Sequence, residues 1–364
     1  MPAPSAARLS IDLDALARNY RTLATLAGGA EPAPVLKADA YGLGAGPVGR
    51  RLWAEGARRF FVARLEEGEA LRGALGPQRP ARIHVLDGFL PGAGARLAAA
   101  ELTPVLHSLP QVEAARAFAT SRRAPLAVTL QIDTGMNRQG VSPDEARALA
   151  QAPDRLAGLD LELVMSHLGS STDPADPRNR LQLQRFKAVR PLFPEAKASF
   201  AASAGVFLGE DYRFDVVRPG VSLFGGGPEE RPDSRLEAVA TFEAPVLDIR
   251  NIAPGEMVGY GSSLTVDRPT RVAVVAAGYA DGLIRAARGK AQAWVGGLMA
   301  PMLIVTMDLI LLEIGEARVQ IGDMAELLGP HALLDDLAAA AGTVAHECLV
   351  RLGGRGERIY LGEA

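Results

Sequence analysis

The sequence predicts a (β/α)₈ barrel followed by a C-terminal, mostly β domain, and three observations lead to that class. Eight short apolar or β-branched runs recur through the first 220 residues with helical patterns between them. A Gly/Pro/charge-rich stretch, GGGPEERPDSR (225–235), then breaks the pattern as a linker does. Beyond it the texture becomes β-rich. The expected division is a barrel over 1–230 and a β domain over 231–364.

The eight runs are PVLK (34–37), RFFVA (59–63), RIHVL (82–86), LTPVL (102–106), LAVTLQI (126–132), DLELVMSH (160–167), KASFAA (197–202) and FDVV (214–217). The intervening helical patterns include GPVGRRLWAEGARR, LEEGEALRGAL, SPDEARALAQ with Ser142 as N-cap, and RNRLQLQRFKAVRPLF. After the linker, LEAVATFEAPVLDIR, RVAVVAAGYA, AQAWVGG, MLIVTMDLILLEI and ARVQIG read as strands, and only LLDDLAAAA (333–341) reads as a helix.

Composition narrows the function. The 364 residues, 48% of them hydrophobic, suffice for one large and one smaller core. With 39 basic and 42 acidic residues and no block of like charge, a nucleic-acid partner is not expected, and a small-molecule site is. The single cysteine, Cys348, excludes an internal disulfide and a cysteine metal cluster, and no metal is expected. The first residues lack the apolar core of a signal peptide, and the apolar run 299–314 is broken by Pro301 and Asp308 and too short for a bilayer, so a cytoplasmic protein without a membrane partner is expected. Only four lysines occur, Lys37, Lys187, Lys197 and Lys290, so few amines are available to an aldehyde cofactor.

Barrels of this class build their sites at the C-terminal ends of the strands. There the sequence places Lys37, Arg138, His167, Ser203, Arg218 and Gly220. An isolated lysine reads as a solvated one, but Lys37 follows Val35 and Leu36 where a strand should end, and partial desolvation there lowers an amine's pKa and favours nucleophilicity, which weakens that reading. Tyr41 reads as packing or as a phosphate-directed hydroxyl. RPGVSLFG (218–225) follows the eighth run, where barrels commonly bind phosphate through main-chain N–H groups, although an arginine is more often ion-paired and Ser203 more often a helix cap. His167 as a core histidine, Arg138 as a surface residue and Tyr260 as strand packing are the bland alternatives.

VLKADAYGLGA, IDTGMNRQG, RPGVSLFG, VGYGSS followed by GYADG, and TMD, in this order, resemble the bacterial alanine racemases over nearly the whole chain. The resemblance implies a pyridoxal 5′-phosphate (PLP) enzyme, homodimeric, whose active site is completed by the partner's β domain. It implies Lys37 as the cofactor-carrying lysine and the base serving D-alanine, and Tyr260 as the base serving L-alanine. It further implies Arg218 beside the pyridine nitrogen and Ser203, Tyr41, Gly220 and Val221 around the phosphate. His167 becomes a link between Arg218 and Tyr260, and Arg138, Met307 and Tyr279 line the substrate site. D-Alanine for cell-wall synthesis, or alanine catabolism, would be the purpose.

The chain departs from the family pattern at three places. Gln131 stands where many relatives carry a carbamylated lysine, and its neutral amide is expected to face Arg138. Ala202 replaces a common asparagine, and GGRGERIY lacks a tyrosine found in some relatives. The competing readings are a racemase for serine or basic amino acids, a PLP decarboxylase, and a non-catalytic PLP-binding barrel. No decarboxylase motif surrounds Cys348, and the β domain with Tyr260 speaks against a lone barrel.

Overall fold

The structure, a computed structural model, describes residues 7–261, 264–352 and 354–363; the two serines that close VGYGSS lie outside the described residues. The chain divides into two compact units. The first comprises residues 17–40 and 44–223, and the second comprises the described residues up to Leu16, Tyr41–Leu43 and Phe224–Glu363.

The N-terminal strand β1 (Arg8–Asp12) belongs to the second unit. The first unit holds β2 (Glu31–Pro32), β3 (Arg59–Val62), β4 (Arg82–Val85), β5 (Leu102–Leu106), β6 (Leu126–Gln131), β7 (Leu159–Met165), β8 (Lys197–Ala202) and β9 (Val216–Arg218). They pair in parallel in the order β2-β9-β8-β7-β6-β5-β4-β3, and a bridge between Val35 and Phe61 closes the ring. This is the expected barrel, with the first strand differing in detail. Instead of a strand over 34–37, β2 spans two residues, because Pro32 and Pro34 have no N–H to donate to a ladder. The Ala33 and Val35 N–H groups still reach Val217 O and Pro219 O, each at 2.8 Å, and the Leu36 N–H reaches Phe61 O at 2.7 Å. Inside, Ala33, Phe61, Val105, Leu163, Met165 and Val216 form a buried cluster. At the start of the strands Arg59 is ion-paired to Glu162 at 3.3 Å and Glu31 at 3.4 Å, which neutralises that rim. Ser142 caps its helix as expected, accepting the Glu145 N–H at 3.2 Å.

The second unit is built on the 13-residue strand β10 (Ala240–Ile252). It adds a small ribbon of β11 (Met257–Val258) and β12 (Leu264–Thr265). The other strands are β13 (Thr270–Val275), β14 (Gln292–Val295), β15 (Leu298–Val305), β16 (Ile310–Glu313), β17 (Met324–Leu328) and β18 (Glu357–Leu361). Their order is β13-β16-β15-β14-β17-β10-β1-β18, and β10 also pairs with β13.

Three expectations for this part need correction. The boundary at 230 misses β1, whose alternating Leu9 and Ile11 are buried while the strand pairs with β10 and β18. In keeping with its reading as buried strands, MLIVTMDLILLEI forms two antiparallel ones, β15 and β16, because Thr306 turns the chain: its N–H donates to Leu309 O at 2.8 Å, and its hydroxyl accepts the Leu309 N–H at 3.1 Å. ARVQIG is not a strand, β17 follows it instead, and a second helix, Ala345–Arg351, accompanies Leu334–Ala341. Gly296 and Gly297, both with positive φ, make the two-residue turn between β14 and β15, a conformation that side chains resist.

Candidate active site

Lys37 stands at the C-terminal rim of the barrel, and the chain beyond it takes an unusual course. Ala38, Asp39, Ala40 and Tyr41 have φ of 52°, 55°, 54° and 58°, a turn of left-handed helix without a glycine. Such a conformation costs L-residues roughly 1–2 kcal/mol each, so bonds from outside must hold it. The Ala38 N–H donates to Glu67 Oε1 at 2.9 Å, and the Ala45 N–H to Asp39 Oδ1 at 2.7 Å. Burial and the nearby Arg138 charge lower the Lys37 pKa, while Glu67 opposes them. The amine is therefore more readily neutral than an exposed lysine.

Arg218 ends β9 inside the barrel and is buried. It donates to Ser199 Oγ at 2.5 Å, to the main-chain oxygens of Ser166 at 2.6 Å and Phe200 at 3.4 Å, and to His167 Nδ1 at 3.3 Å. Burial pulls its pKa down to about 10, which still leaves it a cation near neutral pH. An arginine only donates, so Nδ1 of His167 accepts, and the neutral ring carries its proton on Nε2. Desolvation, then the charges of Arg218, Arg138 and Lys37, push the His167 pKa down to about 3.

At the ends of β8 and β9 the Ser203 hydroxyl oxygen accepts the Gly220 N–H at 2.8 Å and the Ser222 N–H at 3.4 Å. Its own proton remains available to an acceptor. Val221 follows in the same turn, and the buried Ser222 hydroxyl has no partner. A cluster of donors with an orphaned hydroxyl suits a phosphate. Lys37, Arg138 and Arg218 are three cations of the C-terminal rim without a carboxylate partner among the described residues, in contrast to the neutralised opposite rim.

Gln131 behaves differently from expectation. Its Nε2 donates to Gln139 O at 3.0 Å and so braces the loop that carries Arg138, while no hydrogen bond joins it to the Arg138 guanidinium among the described residues. In that loop Asp133 Oδ1 accepts the N–H groups of Gly135, Met136 and Asn137 at 2.8, 2.9 and 3.1 Å.

The remaining sequence candidates lie in the second unit. Tyr41 is buried, its ring 5.2 Å from Phe224 and 5.6 Å from His346. Tyr260, just past β11, is 82% exposed, Met307 at the β15–β16 tip 53%, and Tyr279 41%. The last two occupy neighbouring loops, since the Tyr279 and Ala280 N–H groups donate to Thr306 O and Met307 O, both at 3.0 Å. Gly278 permits this approach: a Cβ there would lie 2.2 Å from Met307 O. Sequence reasoning missed Glu67, although an acid at the third position of a helix is a capping signal that points to the main chain. Among the described residues, no cluster suited to a metal ion occurs, and no helix is long and apolar enough to cross a membrane.

Comparison with known proteins gives a consistent result. Residues 11–228 match the family described as "Alanine racemase, N-terminal domain", and 239–360 match "Alanine racemase, C-terminal domain". The chain is 42% identical to a catabolic alanine racemase of Agrobacterium fabrum, over 97% of this chain and 92% of the relative. It is also 42% identical to an alanine racemase of Rhizobium meliloti, over 99% and 98%. The Bartonella henselae alanine racemase structure, described as carrying covalently bound pyridoxal phosphate, superposes with TM-score 0.92 at 36% identity, covering 98% of this chain and all of that one. The biosynthetic enzyme of Pseudomonas aeruginosa gives TM-score 0.92 at 31% identity, over 99% and 100%.

Proposed function

This chain belongs to the alanine racemase family and is an alanine-racemising enzyme, and from that premise we propose that it works with PLP held on Lys37, using Lys37 and Tyr260 as bases on opposite faces of the substrate Cα. The observation that carries the reading is the rim itself: a partly desolvated amine, two further unpaired cations and a serine-rich turn with an orphaned hydroxyl. That donor set matches an anionic, aldehyde-bearing cofactor and an amino-acid carboxylate. When bound, PLP supplies the electron sink that makes the Cα–H acidic.

Each residue then has a distinct task. Ser203, Gly220, Val221 and Tyr41 hold the phosphate. With PLP bound, Arg218 would meet the pyridine nitrogen and, as a guanidinium that does not readily surrender a proton, would leave that nitrogen unprotonated, which would disfavour transamination. Lys37 moves a proton at one face of Cα and Tyr260 at the other, as racemisation requires. A phenol serves as a base only where positive charge stabilises its anion, so Tyr260 calls for a cation in the assembled site. Arg218 holds that charge, and neutral His167, accepting from Arg218 at Nδ1, presents an Nε2–H as the donor. Arg138, Met307 and Tyr279 receive the substrate. The exposure of Tyr260, Met257, Tyr279 and Met307 supports a homodimer in which the second unit completes the partner's site.

Purified protein supplied with PLP and L-alanine is expected to lose optical rotation until the enantiomers are equal, with a panel of L-amino acids defining its breadth. Faster racemisation of serine or a basic amino acid than of alanine would overturn the substrate assignment. In heavy water, Tyr260→Phe is expected to stop deuterium uptake from L-alanine while the cofactor stays bound.

A further inference from the structure

The Glu67 side chain connects the main chain beside Lys37 to the end of the next strand of the barrel. Its Oε1 accepts the Ala38 N–H at 2.9 Å, while Oε2 accepts the N–H groups of Ala63 at 2.8 Å and Arg64 at 3.2 Å. The last two lie where β3 passes into the helix Leu65–Leu75, so one carboxylate caps that helix and also grips the first residue of the left-handed turn. No glycine relieves that turn, and Ala38 has no other means in its side chain of holding a positive φ.

We propose that Glu67 is a positioning residue for the reaction, fixing the Lys37 amine through its bond to the Ala38 N–H at the start of the left-handed turn. The proposal rests on the reading of Lys37 as the cofactor-carrying amine. The charges acting on that amine come from different elements, Arg138 from the loop after β6 and Glu67 from the helix after β3, while the amine itself and Arg218 of β9 both act on the neighbouring His167 at the end of β7. Glu67 is the only acid in this set, and it raises the amine's pKa where burial and Arg138 lower it. Replacing it with a neutral group removes that opposition, so the amine loses its proton at a lower pH. A glutamine also has one acceptor oxygen where the carboxylate has two, so either the turn or the helix start loses its bond.

The test uses cofactor-free protein mixed with PLP over a pH series, following the rate of the absorbance change that accompanies attachment. Wild type is compared with Glu67→Gln and with Glu145→Gln, which removes a carboxylate that accepts the Ser142 N–H at 2.7 Å at another helix start of the barrel. The pH midpoint is expected to fall in Glu67→Gln and to stay unchanged in Glu145→Gln, with thermal melting showing both variants folded. If Glu67→Gln does not fold, Glu67→Asp, which retracts the charge, is expected to move the midpoint in the same direction. A folded Glu67 variant with the wild-type midpoint would overturn the proposal and leave Glu67 as a helix cap. Should Lys37→Ala show the same absorbance change as wild type, the assignment of Lys37 itself falls, an outcome separable from the first.

Discussion

The Arg218 guanidinium donates to Nδ1 of His167 at 3.3 Å, and burial first, then this neighbouring cation, keep the imidazole neutral. The consequence for stability has a definite sign. The His167 pKa is about 3 in the folded chain and about 6.5 when unfolded, so between those values the unfolded chain binds the extra proton. Stability therefore falls as pH drops through this window and rises with pH across it. Urea unfolding at pH 4.5 and pH 7 is expected to show a smaller difference in His167→Gln than in wild type, and an equal difference would contradict the assignment.

Attachment of the cofactor is expected at Lys37 alone. Lys187 lies on the helix Pro177–Val189 paired with Asp211 at 2.6 Å, and Lys197 begins β8, at the opposite end of the strand from the C-terminal rim, paired with Glu31 at 2.9 Å. Borohydride reduction followed by peptide mapping checks this, with a pyridoxyl group on Lys187, Lys197 or Lys290 as the contrary result. Lys37→Ala is expected to be colourless.

Activity is expected to be independent of bicarbonate. Gln131 cannot be carbamylated, and its amide already braces the Arg138 loop through Gln139 O. Turnover measured in degassed buffer with and without added bicarbonate decides it, and a clear stimulation would show that another residue carries a carbamate.

Gly278→Ala is expected to displace the Met307 loop, because the added Cβ would meet Met307 O at 2.2 Å and main chain cannot swing aside as a flexible side chain does. If Met307 contacts substrate, kcat/KM falls by about tenfold or more, equivalent to about 1.4 kcal/mol. Unchanged kcat/KM with a normal melting temperature would remove Met307 from the site.

Tyr260→Phe is expected to lose activity by about 10²–10⁴-fold, the scale of a general base, while retaining the cofactor. Mixing inactive Lys37→Ala and Tyr260→Phe subunits tests whether sites are shared. In each mixed dimer one site would carry both lesions and the other neither, so activity returns. No recovery, with mixed dimers shown to form, would place both bases on one chain.

The barrel was legible because every strand of it but the first, β2, announces itself locally, by a short apolar run closed by a turn, and because Lys37, His167, Ser203 and Arg218 fall near the ends of the expected runs. Strand pairing between distant segments carries no such local mark. RLSID reads as a strand, yet only its buried Leu9 and Ile11 and its pairing with β10 and β18 assign it to the second unit. The left-handed turn after Lys37 was hidden for a related reason: Ala-Asp-Ala-Tyr contains no glycine, and its backbone is held by Glu67, a side chain 29 residues from Ala38. The neutral state of His167 likewise depends on Arg218, 51 positions away, and on burial that neither residue displays in the linear chain. Residue types and strand ends were thus determined by the sequence itself, whereas hydrogen-bond partners and protonation states were decided by tertiary structure, because both arise from groups brought together only by folding.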